Sequence, residues 1–476
     1  MTNKTNERKG KKMAVMTSWR PNPNVAKRQI AGKDILITVK RNRLLLLNKQ
    51  ASAIWDCMAN RKDCTEQEIA NELKGIYPES SLEELQRDTR DFLEYLAAKG
   101  FVQNGSNYKM IDLGQVEGKT SGHFLFSEKI HEVAVKQGYP VSCGLEVTQR
   151  CPLRCQHCYI DGVPIVKESE MTTEEMHDFL VQIAVAGCLW LLVTGGEPLC
   201  RKDFPEIYKH AKELGMIVTV FTSATTLTEK IVELFEDYPP FLVESTLHSA
   251  DKRTFDRITQ VDGSYRRFIK GINLLRESGI PFNLKMIVMR LNSKDVSEAL
   301  QLASTIGADD FRFDAMINAD FANSEKVQDL RISVEEAIAL DLAEPFWSRW
   351  EKVYQNAFAQ NPPSRKKSDF LFPCRAGKCS FAVSASGKLM PCILMRAPSY
   401  DLKKEKFSEQ WKKLNRYVLK ERMRNDNPCL DCSVQTCSKC PAWGYLEKGD
   451  PNIKSPFACA LEKEREKAFL FITKKS

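Results

Sequence analysis

Three features are missing from the sequence, and each absence excludes a class of protein. No apolar run approaches the about 20 residues that cross a membrane, and the start has no apolar signal-peptide core. Lys and Arg exceed Asp and Glu by only 70 − 62 = 8, whereas nucleic-acid-binding chains are usually more basic, with clustered basic faces. We therefore expect a cytoplasmic protein that has neither a membrane nor a nucleic acid as its partner.

A fourth cysteine is also missing where three stand together. The stretch CPLRCQHCY contains Cys151, Cys155 and Cys158, spaced C-x3-C-x2-C, with no other cysteine beside them. A structural zinc site uses four protein ligands, whereas an iron–sulfur cluster with one open iron needs only three. In the reduced cytosol, clustered cysteines favour metal ligation over disulfides.

The remaining thirteen of the sixteen cysteines fall into two sets. Eight thiolates near the end are enough for two four-ligand sites, which zinc or iron–sulfur clusters could occupy. These eight are Cys374, Cys379, Cys392, Cys429, Cys432, Cys437, Cys440 and Cys459. The other five are expected to be small buried apolar side chains. They are Cys57, Cys64, Cys143, Cys188 and Cys200.

The middle of the chain, from about 140 to 330, alternates strand and helix patterns. Six strands are predicted, within CGLEVTQ, LWLLVTGG, MIVTVFTS, FLVESTLH, FNLKMIVM and DDFRFDAM. Six β/α units of this kind predict a parallel sheet, open or curled into part of a barrel. The cysteine loop follows the first strand and TGGEPL (194–199) ends the second, so both motifs lie at the same edge of the sheet.

The region before the sheet predicts a small α+β domain. The runs DILITVK and RLLLLN read as two strands joined by a turn, and three helical patterns follow. Thr65 and Glu68 have the spacing of a capping box at the start of the second helix, and Gly100 ends the third. No residue in this region has a catalytic pattern.

The cysteine loop and the TGGEPL stretch together resemble the radical S-adenosylmethionine (SAM) superfamily. The resemblance implies a 4Fe–4S cluster on Cys151, Cys155 and Cys158, whose open iron binds the amino and carboxylate groups of S-adenosyl-L-methionine. An electron from the cluster would break SAM into methionine and a 5′-deoxyadenosyl radical, which takes a hydrogen atom from the substrate. A flavodoxin or ferredoxin would be a suitable electron donor.

The same resemblance implies a set of residues around SAM. Gly195 and Gly196 would let the backbone approach the SAM amino group, and Glu197 would accept from it or orient the loop. The run TSATTLT stands where many relatives carry an Asn-Gly turn. The implied cofactor-binding residues are Tyr159, His157, Thr194, Gly195, Gly196, Glu197, Pro198, Ser223, Glu244, Ser245 and Lys285. His248 and Asp314 are also in reach.

The cysteine-rich end resembles a SPASM domain, the two-cluster extension of peptide-modifying members of the superfamily, with Gly387 to Cys392 matching its G-x4-C element. That resemblance implies two auxiliary 4Fe–4S clusters. Auxiliary cluster I would use Cys374, Cys379, Cys392 and Cys440. Auxiliary cluster II would use Cys429, Cys432, Cys437 and Cys459. Two spacings in this run are one residue shorter than usual.

The first domain resembles the peptide-recognition element of ribosomal-peptide maturases, so it implies a precursor peptide whose leader adds as a strand. The predicted fold is α/β: a partial (β/α)6 radical SAM barrel, a small winged-helix-like α+β domain before it and a loop-rich iron–sulfur domain after it. The predicted divisions are a disordered tail (1–22), a recognition domain (23–110), a linker (111–139), the barrel (140–345), a connector (346–373), the SPASM domain (374–463) and a basic tail (464–476).

The function that this sequence predicts is a radical SAM peptide maturase that installs a crosslink, in the first instance a thioether from a cysteine of the peptide. Carbon–carbon crosslinking and epimerisation stay open. An anaerobic sulfatase-maturing enzyme is a further alternative, although the Asp that commonly follows the G-x4-C cysteine is replaced here by Ile393. The non-enzymatic alternative is a structural zinc protein.

Overall fold

The computed structural model describes residues 18–30, 32–39, 42–61, 63–104, 121–160, 170–319, 326–358 and 369–473. The chain separates into two compact units. The first comprises residues 1–39 and 43–123, and the second comprises 40–42 and 124–476. No helix in the described ranges is long and apolar enough to cross a membrane.

The first unit contains two small antiparallel sheets and three helices. Its strands are β1 (Ser18–Pro21), β2 (Val25–Ile30), β3 (Lys33–Thr38), β4 (Arg43–Leu47), β5 (Cys64–Thr65) and β6 (Val102–Asn104). One sheet has the order β2-β3-β4 and the other β5-β1-β6. The helices are α1 (Lys49–Ala59), α2 (Glu66–Ile76) and α3 (Leu82–Ala98).

The local signals in this unit are confirmed. Thr65 accepts from the Glu68 amide while the Glu68 side chain accepts from the Thr65 amide, so the predicted capping box begins α2. Gly100 follows α3 with φ of +79°, a conformation that glycine adopts without steric cost. The β5-β1-β6 sheet was not predicted. Its strands are short and far apart in sequence, and β1 lies where a disordered tail was expected, because buried Trp19 fixes it in the core.

The second unit is built on one nine-stranded sheet with the order β12-β11-β10-β9-β8-β7-β13-β14-β15. Its first six strands in that order are mutually parallel, which confirms the predicted partial (β/α)6 barrel. They are β7 (Ser142–Thr148), β8 (Trp190–Gly195), β9 (Ile217–Phe221), β10 (Leu242–Thr246), β11 (Phe282–Ile287) and β12 (Asp310–Asp314). The cysteine-rich part adds β13 (Ser380–Val383), parallel to β7, then antiparallel β14 (Lys388–Met390) and β15 (Tyr400–Asp401).

Helices cover one face of this sheet and continue to the end of the described chain. They are α4 (Ser121–Gln137), α5 (Thr173–Val185), α6 (Phe204–Glu213), α7 (Glu229–Asp237), α8 (Lys252–Thr259), α9 (Ser264–Glu277), α10 (Val296–Thr305), α11 (Lys326–Leu330), α12 (Val334–Leu342), α13 (Phe346–Phe358), α14 (Phe407–Lys420), α15 (Pro441–Lys448) and α16 (Pro456–Thr473). Short 3-10 helices span Pro198–Cys200 and Ser293–Asp295.

Some predicted divisions fall partly outside the described residues. This applies to the first tail as far as residue 17, to the linker over 111–120, to the connector over 359–368 and to the last three residues. Within the described part, α4 occupies much of the predicted linker. Helix α16 continues past residue 463, where the sequence predicts the end of the SPASM domain.

Strand alternation decides which side chains reach the interior of the barrel. In β7, Cys143, Leu145 and Val147 pack in the main hydrophobic core, so Gly144 and Glu146 point to the other face. The same alternation in the facing strands β10 and β11 turns Glu244 and Lys285 inward, since their neighbours belong to the core. The barrel interior is therefore lined by charged side chains, next to the carboxyl ends of the strands.

Candidate active site at the carboxyl ends of the parallel strands

The cysteine loop follows β7 and is held in place by the end of helix α8. The amides of Arg154 and Gln156 donate to the carbonyls of Thr259 and Ile258, each at 3.0 Å. The Cys158 amide donates to the Cys155 carbonyl at 3.0 Å, which folds the loop back on itself. Since backbone bonds fix the loop, its thiols have defined positions.

The three thiols of the loop lie close enough to interact electrostatically. Burial, together with the charges of Glu197, Cys158 and Cys200, raises the pKa of Cys151 to about 12, against one opposing hydrogen bond from the Leu153 amide. Burial, Cys158 and Cys151 raise the pKa of Cys155 in the same way. Thiols in this environment become thiolates only when a cation binds them, so the donor set suits an iron–sulfur cluster.

The described residues contain no three His, Cys, Asp or Glu side chains that converge closely enough to hold one metal ion. Ligands of a four-iron cluster surround a larger body and do not need to converge on a single point. Cys57, Cys64, Cys143 and Cys188 are buried, as predicted. The prediction was wrong for Cys200, which is only partly buried and lies near Cys151 at the turn that follows β8.

Gly195 and Gly196 bring the end of β8 against the start of the cysteine loop. A Cβ on Gly195 would lie 2.2 Å from the Thr148 carbonyl oxygen, and one on Gly196 would lie 2.5 Å from the Arg150 carbonyl oxygen. The Gly196 amide donates to Thr148 at 2.8 Å. Both glycines are therefore required by backbone packing, a role that the sequence analysis did not foresee, whereas their approach to SAM stays a prediction.

Glu197 joins the ends of β8 and β9. Its carboxylate is fully buried, and it accepts from the Thr222 hydroxyl at 2.7 Å and from the Ser223 amide at 2.7 Å. The Ser223 hydroxyl and the Leu199 amide add two further bonds, at 2.5 and 3.1 Å. Burial raises the pKa of Glu197, and these donors oppose that shift. Glu197 thus ties the turn after β8 to the turn after β9, and its two predicted roles toward SAM and the loop stay predictions.

The turn after β9 explains how TSATTLT replaces an Asn-Gly turn. Ala224 has φ of +58°, the left-handed conformation that Gly and Asn adopt most readily. Its amide donates to the Thr222 hydroxyl at 3.1 Å, and the Ser223 hydroxyl is 2.8 Å from the Thr225 hydroxyl. The turn therefore holds a left-handed residue without Gly or Asn, and side-chain hydroxyls support it.

A charged cluster crosses the barrel interior from β10 to β12. Glu244 contacts Lys285 at 3.0 Å and Arg312 at 2.6 Å, and the Lys285 ammonium lies 3.7 Å from the centre of the Phe221 ring. Burial lowers the pKa of Lys285, although Glu244 partly offsets this effect. Burial also raises the pKa of Asp314 at the end of β12, despite one hydrogen bond from the Met316 amide. These groups form a polar wall that could meet SAM or a substrate.

The other predicted cofactor-binding residues occupy different positions. Thr194 and Pro198 are buried at the end of β8 and in the turn after it. Ser245 is buried on the same side of β10 as the core residue Val243, and its hydroxyl has no hydrogen-bond partner within the described part of the chain. Burial, together with the charge of Glu146, raises the pKa of Tyr159.

Two histidines lie beside the cysteine loop. The His157 and His248 rings meet edge to face with centroids 5.3 Å apart. The His248 Nε2 atom is 3.9 Å from the Cys155 sulfur. Burial lowers the pKa of both imidazoles, to about 4 for His157. The His157 ring packs against His248, and its predicted contact with SAM stays a prediction.

Sequence reasoning missed an ion pair inside the barrel. Glu146 on β7 is 1% exposed and contacts Arg396 at 2.6 Å. Burial raises the pKa of Glu146, and Arg396 opposes the shift. Next to this pair, Ile393 packs against Gly144, where a Cβ would lie 3.0 Å from the Ile393 Cδ1 atom. The available signal was that Glu146 is the one charged residue of strand β7.

The eight cysteines near the end form two groups. Burial, together with the charges of Cys440 and Cys374, raises the pKa of Cys392 to about 12. Burial and the charge of Cys374 also raise the pKa of Cys379. In the second group, burial and the charges of Cys432 and Cys459 raise the pKa of Cys429. Burial and the charges of Cys429 and Cys432 likewise raise the pKa of Cys437. One cavity is lined by all four cysteines of the second group and also by Cys440. The division of these eight cysteines between two auxiliary clusters stays a prediction.

Two family models match the chain. The model of the Radical SAM superfamily matches residues 145–303, which include the cysteine loop and the GGEP turn. The model of coenzyme PQQ synthesis protein D (PqqD) matches residues 35–102 in the first unit.

Several known proteins resemble the chain over most of its length. It is 24% identical to an AdoMet-dependent heme synthase of Methanosarcina barkeri, over 66% of this chain and 94% of that protein. It is 25% identical to a PqqA peptide cyclase of Bradyrhizobium diazoefficiens, over 72% and 92%. Among solved structures, Streptococcus suis SuiB bound to the precursor peptide SuiA superimposes with a TM-score of 0.54 at 14% identity, over 93% and 99%.

The matched fold and the three-thiol loop define the class of the second unit: residues 145–303 are similar to the Radical SAM superfamily and form a radical SAM domain. The chain carries a PqqD-like domain in addition to the radical SAM domain. This class implies SAM and one 4Fe–4S cluster, and the thiols of Cys151, Cys155 and Cys158 suit such a cluster. When bound, the cluster and SAM supply an organic radical that removes a hydrogen atom from the substrate.

Proposed function

We propose that this protein modifies a ribosomally made precursor peptide and installs a crosslink in it. One observation carries the proposal: a PqqD-like domain and a radical SAM domain stand in the same chain, at residues 35–102 and 145–303. Relatives support a peptide substrate, since one is named a PqqA peptide cyclase and SuiB binds its precursor peptide SuiA. A tethered leader would raise the local concentration of the core peptide.

The proposed crosslink is a thioether between a cysteine sulfur and a carbon of another residue. One hydrogen atom leaves the carbon, the thiol loses a proton, and one further electron must leave the substrate as the new bond forms. Two auxiliary 4Fe–4S clusters, on the eight cysteines after residue 373, would be suitable electron acceptors. Carbon–carbon crosslinking needs the same acceptor, whereas epimerisation needs none.

The chain's own residues have separate tasks in this proposal. Cys151, Cys155 and Cys158 hold the cluster, and Glu197 keeps the turns after β8 and β9 together at its edge. The inward groups Glu244 and Lys285 are candidates for the polar groups of SAM. Their position opposite the cysteine loop would let the barrel exclude water from the reacting centre.

The edge strands of the β2-β3-β4 sheet are the proposed site for the leader. Within the described residues, β2 and β4 each pair only with β3, so each has one unpaired edge. An added strand would be bound by main-chain hydrogen bonds, which tolerate many sequences. Leu46 on β4 is 48% exposed and offers an apolar contact beside that edge.

A sulfatase-maturing activity is the weaker alternative. Sulfatase-maturing enzymes commonly have an Asp after the G-x4-C cysteine. In this chain that residue is Ile393, whose apolar side chain packs against Gly144. The buried carboxylate of Glu146, on the same strand as Gly144, is paired with Arg396. Peptide crosslinking does not depend on a base at residue 393.

Co-expression with each short open reading frame beside the gene, followed by mass spectrometry of the peptide, tests the proposal. We expect one peptide to lose two hydrogen atoms for each crosslink, and alkylation of one fewer cysteine for a thioether. The chain with Cys151, Cys155 and Cys158 changed to Ala serves as the control. If no neighbouring peptide changes in mass while SAM is still cleaved, the proposed function is wrong.

A further inference from the structure

His248 lies at the end of β10 and faces the cysteine loop. Its Nε2 atom is 3.9 Å from the sulfur of Cys155, within the range of a hydrogen bond to sulfur. The residue is 2% exposed, so water does not compete for this contact. None of the roles assigned above explains a nitrogen aimed at a ligand sulfur.

The imidazole is held firmly in this orientation. The side-chain amide of Asn292, itself fully buried, donates to the His248 carbonyl at 2.7 Å and fixes the backbone. The ring meets Phe255 edge to face at 5.0 Å and His157 at 5.3 Å. Phe255 belongs to α8, the helix whose last carbonyls also anchor the cysteine loop. Donor and sulfur are therefore positioned by one common element.

The direction of the hydrogen bond follows from the chemistry of the two groups. The Nε2 atom of His248 faces the sulfur, whereas its Nδ1 atom has no hydrogen-bond partner among the described residues. A cysteine that ligates iron is a thiolate and has no proton to donate. The Nε2–H tautomer satisfies the only contact, whereas the other tautomer would set a lone pair against the sulfur and leave a buried donor unpaired.

We infer that His248 is a positioning residue that donates an Nε2–H hydrogen bond to the Cys155 sulfur and raises the reduction potential of the SAM-binding cluster. The inference rests on the assignment of that cluster to Cys151, Cys155 and Cys158, and not on the identity of the substrate. Hydrogen bonds to ligand sulfurs stabilise the reduced, more negative cluster. His248 would thus ease the electron transfer that precedes SAM cleavage.

The test is a redox titration of the anaerobically reconstituted full-length protein. Electron paramagnetic resonance monitors the titration through the cluster signal that changes when SAM is added. In His248→Phe, which keeps a ring but has no donor, we expect the reduction equilibrium constant to fall about tenfold, which is about 59 mV for one electron. His248→Gln places an amide N–H near the original Nε2 and should recover most of the shift. His131→Phe changes another buried histidine, on α4, and should leave the potential unchanged.

A reduction potential in His248→Phe equal to that of the wild type would overturn the inference. A potential in His248→Gln as low as that in His248→Phe would overturn it too. If His248→Phe does not assemble its cluster, the wild-type protein still decides. With 15N-labelled histidine, pulsed electron paramagnetic resonance should detect a histidine nitrogen coupled to the SAM-perturbed cluster, and its absence would refute the hydrogen bond. A missing SAM-sensitive signal in every protein would instead refute the cluster assignment.

Discussion

At the scale of single residues, the site depends on contacts that leave no room for a methyl group. Gly195 and Gly196 are predictable from the motif, but the reason for them is not. The motif points to SAM, whereas the distances point to the backbone of Thr148 and Arg150, which leads from the end of β7 into the cysteine loop. Only three-dimensional packing reveals this second requirement, because it joins two loops that are far apart in sequence.

Gly196→Ala should damage the cluster site without unfolding the barrel. The new Cβ would lie 2.5 Å from two carbonyl oxygens, those of Gln149 and Arg150, so the cysteine loop must move. We expect SAM cleavage to fall at least about 100-fold, since displacements of about 1 Å have such effects. Gly75→Ala is the matched control, because a Cβ there has nothing within 4 Å. Equal rates of 5′-deoxyadenosine formation in the two variants would contradict this role.

The Glu146–Arg396 pair was not predictable, since its partners are 250 positions apart. Arg396→Met should destabilise the second unit by about 3 kcal/mol, because it leaves the buried Glu146 carboxylate without its cation. The double variant Glu146→Gln with Arg396→Met should recover part of the loss. Lys412→Met, which breaks an exposed pair with Glu409, should change stability by less than about 0.5 kcal/mol.

Thermal unfolding of all four proteins under the same anaerobic conditions measures these differences. If Arg396→Met is as stable as Lys412→Met, the buried Glu146 carboxylate does not need the Arg396 cation, and the prediction is wrong.

At the scale of elements, local patterns predicted most of the fold. The six parallel strands and the Thr65 capping box follow from periodicity and cap residues. The β5-β1-β6 sheet could not be predicted, because strands of two to four residues carry no periodicity and form only through distant partners. The grouping of the late cysteines came from the SPASM resemblance and not from their spacing, since Cys440 lies among the second group in sequence but interacts with Cys374 and Cys392.

Cys379→Ala tests whether Cys379 is the fourth protein ligand of the proposed auxiliary cluster I. Cys379 is buried, its carbonyl accepts from Val141 at 2.8 Å beside β7, and Cys374 raises its pKa. If it is a true ligand, iron content should fall and the reduced spectrum should change. The control variant Cys188→Ala changes another buried cysteine and should leave the iron content of the protein unchanged. An unchanged spectrum with full turnover in Cys379→Ala would mean that cluster I has three protein ligands.

At the scale of the whole molecule, each compact unit has its own proposed task. The first unit would bind the leader and the second would carry out the radical chemistry. Removal of residues 1–104 should therefore leave SAM cleavage without peptide intact and abolish crosslinking of the full-length precursor. The assay compares 5′-deoxyadenosine with peptide mass in one reaction. Crosslinking at the full rate by the shortened chain would exclude the recognition role.

The central claim is that three thiolates hold a SAM-cleaving cluster, and iron analysis together with reductive SAM cleavage tests it most directly. The wild-type chain, reconstituted anaerobically, should be brown, contain about twelve irons in three 4Fe–4S clusters and release 5′-deoxyadenosine on reduction. Changing Cys151, Cys155 and Cys158 together to Ala should remove about a third of the iron and all of the cleavage. A colourless zinc protein, or cleavage retained by the triple variant, would contradict the account.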